Sequence, residues 1–188
     1  LFKEQQGNDL RGFSNLTRSD WKERIKKAGV VNFPPIVTGN TFEEKVDNYA
    51  GILEGSVQEL FPTTVLAAAL NRDGNVFGEM KPLMLQFFSK NPDFNLSTNN
   101  PAQAFDNANY EGIPENKKAA LQSELKTVSR LYKISGDYNN LAVLYADKLD
   151  SATSIVHKHS KKSFISKYSE KLGSEKAETI YRNAREIH

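Results

Sequence analysis

From Thr41 to Pro62 the chain reads TFEEKVDNYAGILEGSVQELFP, and this stretch constrains the fold more than any other. Thr41 with Glu44 three residues later is a capping box, in which each side chain satisfies a backbone amide that the first helical turn leaves free. Val46, Tyr49, Ala50, Leu53, Val57 and Leu60 then follow at steps of three and four, the period of one face of an α-helix. Phe61 ends the run, because the residue before a proline is pushed out of helical geometry, and Pro62 suits the first turn of another helix. Two helices meet here with no room for a strand between them.

The same punctuation recurs along the chain. Thr17 and Asp20 form a close variant of the capping box, Leu16 and Trp21 fit a hydrophobic staple around it, and Trp21, Ile25 and Ala28 make one face before Gly29. VNFPPIVTGN, 31–40, is a loop because paired prolines cannot continue a helix. The helix opened by Pro62 runs through TTVLAAAL towards Asp73-Gly74. Leu83, Met84, Leu85, Phe87 and Phe88 mark a further short helix that stops at Asn91-Pro92. The segment 91–114 is rich in Asn, Pro and Gly and reads as an irregular connection with one helical turn at Ala102 to Phe105. It is the best candidate for a lobe boundary.

Pro114 opens a long helix with Ala120, Leu121, Leu125, Val128, Leu131 and Tyr132 on one side. Gly136 closes it and Asp137 caps DYNNLAVLYADKL; SATSIVHKH, KSFISKYSEKLG and SEKAETIYRNAREIH follow, with Gly173-Ser174 as a stop-and-cap pair. No run of four to eight residues alternates like a strand between hairpin turns. The expected fold is all-α, an irregular bundle of about eight to ten short and medium helices. It divides into a flexible lead-in at 1–15, an N-terminal helical lobe at 16–100 and a basic C-terminal helical lobe at 101–188, the last either packed as one domain with the first or separate from it.

Composition narrows the chemistry. The 188 residues include no cysteine, which excludes disulfides, thiolate metal sites and a cysteine nucleophile. No apolar run approaches the roughly 20 residues of a membrane helix, and the opening LFKEQQGNDL lacks the order of a signal peptide. The start at Leu1 and the end within a helical pattern suggest an excised fragment. Charge is uneven: up to Asn116 there are 11 Lys+Arg against 15 Asp+Glu, and from Lys117 on 14 against 8. A basic half of this kind is a surface for a polyanion or simply a solvated helical exterior.

One run looks like chemistry, IVHKHSKKSF at 155–164. Helical metal pairs need histidines three or four apart, whereas His157 and His159 are two apart, which on a helix turns them about 200° from each other, so that they converge only if the helix ends between them. The link also lacks the glycines by which hairpin modules bring backbone amides against phosphate. What remains is a candidate polyanion contact through His157, Lys158, His159, Lys161 and Lys162, with nucleic acid disfavoured. The structural reading is a hydrated cationic link between buried anchors Ile155 and Phe164, its cations well placed at a helix end. No lipase, zincin or phosphate-loop signature is present, and Gly74 to Gly78, GNVFG, lacks strand context. Neither a catalytic residue nor a cofactor or metal site is expected. Trp21, Phe61, Tyr132, Phe164, Tyr168 and Tyr181 fall at core spacing.

The succession LTRSDWKERIKKAGV, EEKVDNYAGILEGSVQELFPTTVLAAAL, NPDFNL, LQSELKTVSRLYKIS, LDSATSIV, FISKYSEKLG and AETIYRNAREIH resembles the helical region of the A subunit of Tc insecticidal toxin complexes. The matching motifs are Asn48-Tyr49-Ala50, Phe61-Pro62-Thr63, Ser151-Ala152 and Ile180-Tyr181-Arg182-Asn183-Ala184, and the resemblance covers the chain from Leu16 on. It implies a non-catalytic scaffold module in the helical shell of a homopentameric, toxin-translocating assembly. Its partners would be other regions of the same large chain, other protomers of the pentamer and a host cell-surface receptor or glycan. The same resemblance implies a secreted or cell-surface bacterial toxin component. The alternative is a free-standing helical module that binds nucleic acid or a sulfated glycan through the basic half.

Overall fold

The structure is a computed structural model, and it describes residues 10–72, 74, 76–96 and 101–188. Among these residues the chain forms ten α-helices and no strand: α1 Arg18–Lys27, α2 Phe42–Leu60, α3 Pro62–Arg72, α4 Met80–Lys90, α5 Pro101–Asp106, α6 Glu115–Ser135, α7 Tyr138–Ala146, α8 Ala152–Lys158, α9 Lys161–Leu172 and α10 Ser174–Ile187. A 3-10 helix at Leu10–Asn15 precedes them. The all-α irregular bundle is therefore what the chain forms. Its contacts divide it into two compact units, one up to Ala68 and one from Ala69 to His188. The segment 91–114, the candidate lobe boundary, lies inside the second unit, and residues 97–100 are outside the described ones.

The first unit is built on the antiparallel pair α1 and α2. Both helices start with the capping boxes read from sequence: Thr17 accepts from the Asp20 amide while Asp20 accepts from the Thr17 amide, and Thr41 and Glu44 do the same. Trp21, Ile25, Val46 and Ala50 are fully buried between them. Arg18 and Lys22 of α1 both reach Asp47 of α2, at 2.6 and 3.0 Å, and Lys26 reaches Glu43 at 2.7 Å. Positions four apart share a helix face, so these pairs form a row beside the apolar seam. All are half-exposed and screened by water, so they set register more than stability.

Two expectations change here. Leu10–Asn15 is no loose lead-in: Phe13 is 3% exposed and stacks on Trp21 with ring centroids 5.4 Å apart. Residues 1–9 lie outside the described ones. The α2 stripe is also only half covered, since Tyr49, Leu53 and Val57 are partly exposed and Leu60 is 62% exposed. The reason is length: α2 has 19 residues and α1 has 10, or about 28 Å against 15 Å, so α2 overhangs its partner. Ala28, placed on the α1 core face by period, is exposed at the C-cap.

In the second unit α6 is the central helix. Leu121, Leu125, Val128, Leu131, Tyr132 and Ile134 are buried along it, while Ala120, assigned to that face from sequence, is exposed. Gly136 ends α6 in the left-handed conformation at φ 79°, and Asp137 caps α7 by accepting from the Asn140 amide. The Asn-rich connection is held to this frame. Leu96 and Phe105 are buried, the buried Ser129 hydroxyl donates to the Leu96 carbonyl at 2.6 Å, and Asn91 bridges the Phe87 carbonyl and both backbone groups of Asn109. Phe87, Phe94, Phe105 and Tyr110 pack ring on ring around it. The expected cap at Ser174 is absent: Gly173, at φ 85°, takes the N-cap position and Ser174 is already helical.

Candidate functional site

The link singled out from sequence lies between α8 and α9. Ser151 and Ser154 form a capping box that starts α8. His159 is the extended C-cap of α8, and Ser160, whose hydroxyl accepts from the Ser163 amide, starts α9 at once. A two-residue junction without glycine is enough because both of its residues are extended, a conformation open to any side chain. Ile155 and Phe164 are fully buried on either side, as expected of anchors.

Between those anchors the five basic residues do not share one surface. His157 leaves the helix end towards α10, where its Nε2 lies 3.1 Å from Nε2 of His188. His159 turns inward: its ring stands edge-on to Phe164 and Tyr168, with centroids 5.8 and 5.9 Å away, and its carbonyl accepts from the Tyr181 hydroxyl at 3.0 Å. Burial first, then the Lys167 and Lys158 charges, hold its pKa below the ordinary imidazole value, with Asp147 opposing. The hydrated link therefore excludes His159; α8 ends between the two histidines, so the 200° turn of a helix does not apply, and they diverge because His159 packs inward while His157 leaves the helix end.

The lysines are mostly engaged. Lys158 donates to the Lys148 carbonyl at 2.9 Å, and Lys148 itself has φ 56°. Lys161 pairs with Glu178 of α10, and its hydrogen bond first, then its charge, lower the pKa of that carboxyl. Among the described residues Lys162 has no hydrogen-bond or ion-pair partner. A polyanion would meet Lys162 directly, and the other cations only by competing with these contacts.

Sequence reading missed the most connected polar group of this region, Asp147. It caps the end of α7, accepts from the Tyr168 hydroxyl at 2.9 Å and pairs with Lys167 at 2.7 Å and Lys171 at 3.8 Å. Lys167 first, then the Tyr168 hydrogen bond, keep its carboxyl below the usual carboxylate range; burial first, then Asp147, pushes the Tyr168 phenol up. A carboxylate saturated with donors is a weak base, and a phenol with raised pKa is a weak acid. The cluster therefore latches α7 to α9 and is poorly suited to proton transfer. Asp147 and Tyr168 are 21 residues apart, and no spacing rule links them.

Elsewhere in the second unit an open cleft of about 430 Å³ is lined by Lys90, Asn91, Asp93, Phe94, Asn95 and Asn107 among others. The Asn91 amide is already spent on the clamp to Phe87 and Asn109. No group of three or more His, Asp or Glu among the described residues is placed to hold a metal, and none of their helices is long and apolar enough to cross a membrane.

Comparison with protein-family models, curated proteins and solved structures gives no match.

Proposed function

We propose that the chain is a non-catalytic helical scaffold module, belonging to the shell of a larger Tc-toxin-A-like protein, and that it works by packing against other protein surfaces. The observation that carries this reading is apolar surface at both ends of α2. The loop before it exposes Val31 at 75% and Ile36 at 71%, beside a half-exposed Phe42, and the far end exposes Leu60. Phe33 of this loop stands edge-on to both Phe42 and Tyr49, which ties the loop to the start of α2. Large exposed apolar groups such as Val31, Ile36 and Phe42, close in sequence at the start of α2, mark interaction surfaces more often than catalytic ones. The polar clusters are closed on themselves, which agrees with a scaffold role. Resemblance to the toxin shell supplies the partners: further helical regions of the same chain, neighbouring protomers of a pentamer and a host surface, with secretion or surface display as the setting.

The test is the triple variant Val31→Ser, Ile36→Ser, Phe42→Ser in the isolated chain and in a longer protein that carries it. Far-UV circular dichroism of the isolated chain should be unchanged, while assembly of the longer protein, followed by sedimentation, should fall by about tenfold or more. Unchanged assembly would reject the reading. Binding of the isolated chain to heparin at low salt, lost steeply as salt rises, would favour the polyanion alternative instead.

A further inference from the structure

His157 and His188 stand at the C-terminal ends of α8 and α10, and their Nε2 atoms lie 3.1 Å apart. The ring planes differ by 11°, with centroids 5.1 Å apart. Because the nitrogens are much closer than the centroids, the rings meet edge to edge and each offers its Nε2 to the other. As a hydrogen bond the contact needs one protonated and one bare nitrogen. With both nitrogens bare it becomes a pair of imidazole donors. Two ligands on one tetrahedral ion, each about 2.05 Å from the metal, stand about 3.3 Å apart, close to the spacing already present.

The geometry points to a two-histidine site for a borderline divalent transition metal ion, Cu²⁺, Ni²⁺ or Zn²⁺, which staples the end of α10 to the end of α8. Both side chains are exposed, so the ion reaches them without crossing the core and keeps water in its other positions. The frame that brings them together is fixed. Ile155 of α8 and Ile180 and Ala184 of α10 are buried, and the Tyr181 hydroxyl of α10 holds the carbonyl of His159, the residue that ends α8. The backbone frame is thus preorganised, which lowers the cost of binding, while the exposed rings turn about their side-chain torsions to aim both lone pairs at the ion. Lys158, next to His157, is drawn away to the Lys148 carbonyl. Nitrogen ligands without a carboxylate exclude Mg²⁺ and Ca²⁺, which prefer oxygen, and rank Cu²⁺ above Ni²⁺ and Zn²⁺.

The full chain is titrated with Cu²⁺ and, separately, Ni²⁺ by calorimetry, and the Cu²⁺ complex is examined by electron paramagnetic resonance. One ion per chain should bind, Cu²⁺ more tightly, with a spectrum showing two imidazole nitrogens. His157→Ala and His188→Ala should each weaken binding about tenfold or more, whereas His159→Asn should leave it unchanged. Amide exchange in the last turn of α10 should slow with Ni²⁺ in the parent and not in His157→Ala. A single nitrogen in the spectrum of the parent chain, or affinity unaffected by His188→Ala, would overturn the site.

Discussion

The Tyr168 hydroxyl donates a 2.9 Å hydrogen bond to the Asp147 carboxylate, joining the middle of α9 to the end of α7. Tyr168 is fully buried, and Asp147 also takes Lys167 at 2.7 Å. Tyr168→Phe keeps the ring and removes the donor, so it should cost about 1–2 kcal/mol in denaturant unfolding. The Asp147 carboxyl holds its proton less tightly folded than unfolded. The unfolded chain therefore binds more protons in acid, and this contribution, present at neutral pH, is lost as pH falls from about 4 downward. Asp147→Asn should flatten the acid limb of the stability profile; an unchanged limb would mean that the latch carries no charge-dependent stability.

His159 acts on the same acid side of the profile, at higher pH. Its folded pKa is depressed by burial and by Lys167 and Lys158, so the unfolded chain takes up the proton first as pH drops below about 6.5. Stability should decline from about pH 7 to 5 in the parent, and less so in His159→Asn. The comparison needs only thermal or urea midpoints across that range.

The apolar anchors and the cations beside them should differ sharply in effect. Ile155→Ala and Phe164→Ala remove fully buried side chains and should cost about 2–5 kcal/mol each. Lys162→Ala, at an exposed lysine, should change stability by less than about 0.5 kcal/mol. Equal effects for the two classes would contradict the assignment of the link.

Trp21 is the one tryptophan in the chain, so its fluorescence reports on the first unit. Phe13 stacks on it from the 3-10 helix. Phe13→Ala should destabilise that unit by about 3–4 kcal/mol, read as an earlier fluorescence transition. A fluorescence midpoint that does not move would show that the segment does not pack in solution.

Gly39 precedes α2 with φ 142°, a region that L side chains rarely adopt, and a Cβ there would stand 3.0 Å from the Lys45 amide nitrogen and the Glu44 Cβ. Gly39→Ala should cost about 2 kcal/mol, whereas Gly55→Ala, in the body of α2 with open space around it, should be neutral or stabilising. Matching unfolding curves for the two variants would reject the strain argument.

The fold class was legible because helix starts and stops are local. Thr17, Thr41, Asp137 and the Phe61-Pro62 junction satisfy or interrupt backbone groups within one turn, so their consequences can be read three residues away. The stripes on α1, α2 and α6 were legible for the same reason, a period of about 3.6 residues. How far each stripe is buried was not: Ala28, Leu60 and Ala120 fit the period and are exposed, because burial depends on the length and position of the partner helix.

Sequence by itself determined the helices and most of their caps, since both follow from backbone geometry within a few residues. The tertiary structure alone decided what each polar side chain meets. Asp147 found Tyr168 and Lys167, His159 found an aromatic wall, His157 found His188, and Lys161 found Glu178. Side-chain interactions act over a few ångströms while these partners lie 17 to 31 residues apart or, for Phe164, across a helix junction. Only the packing of α7, α8, α9 and α10 brings them within reach.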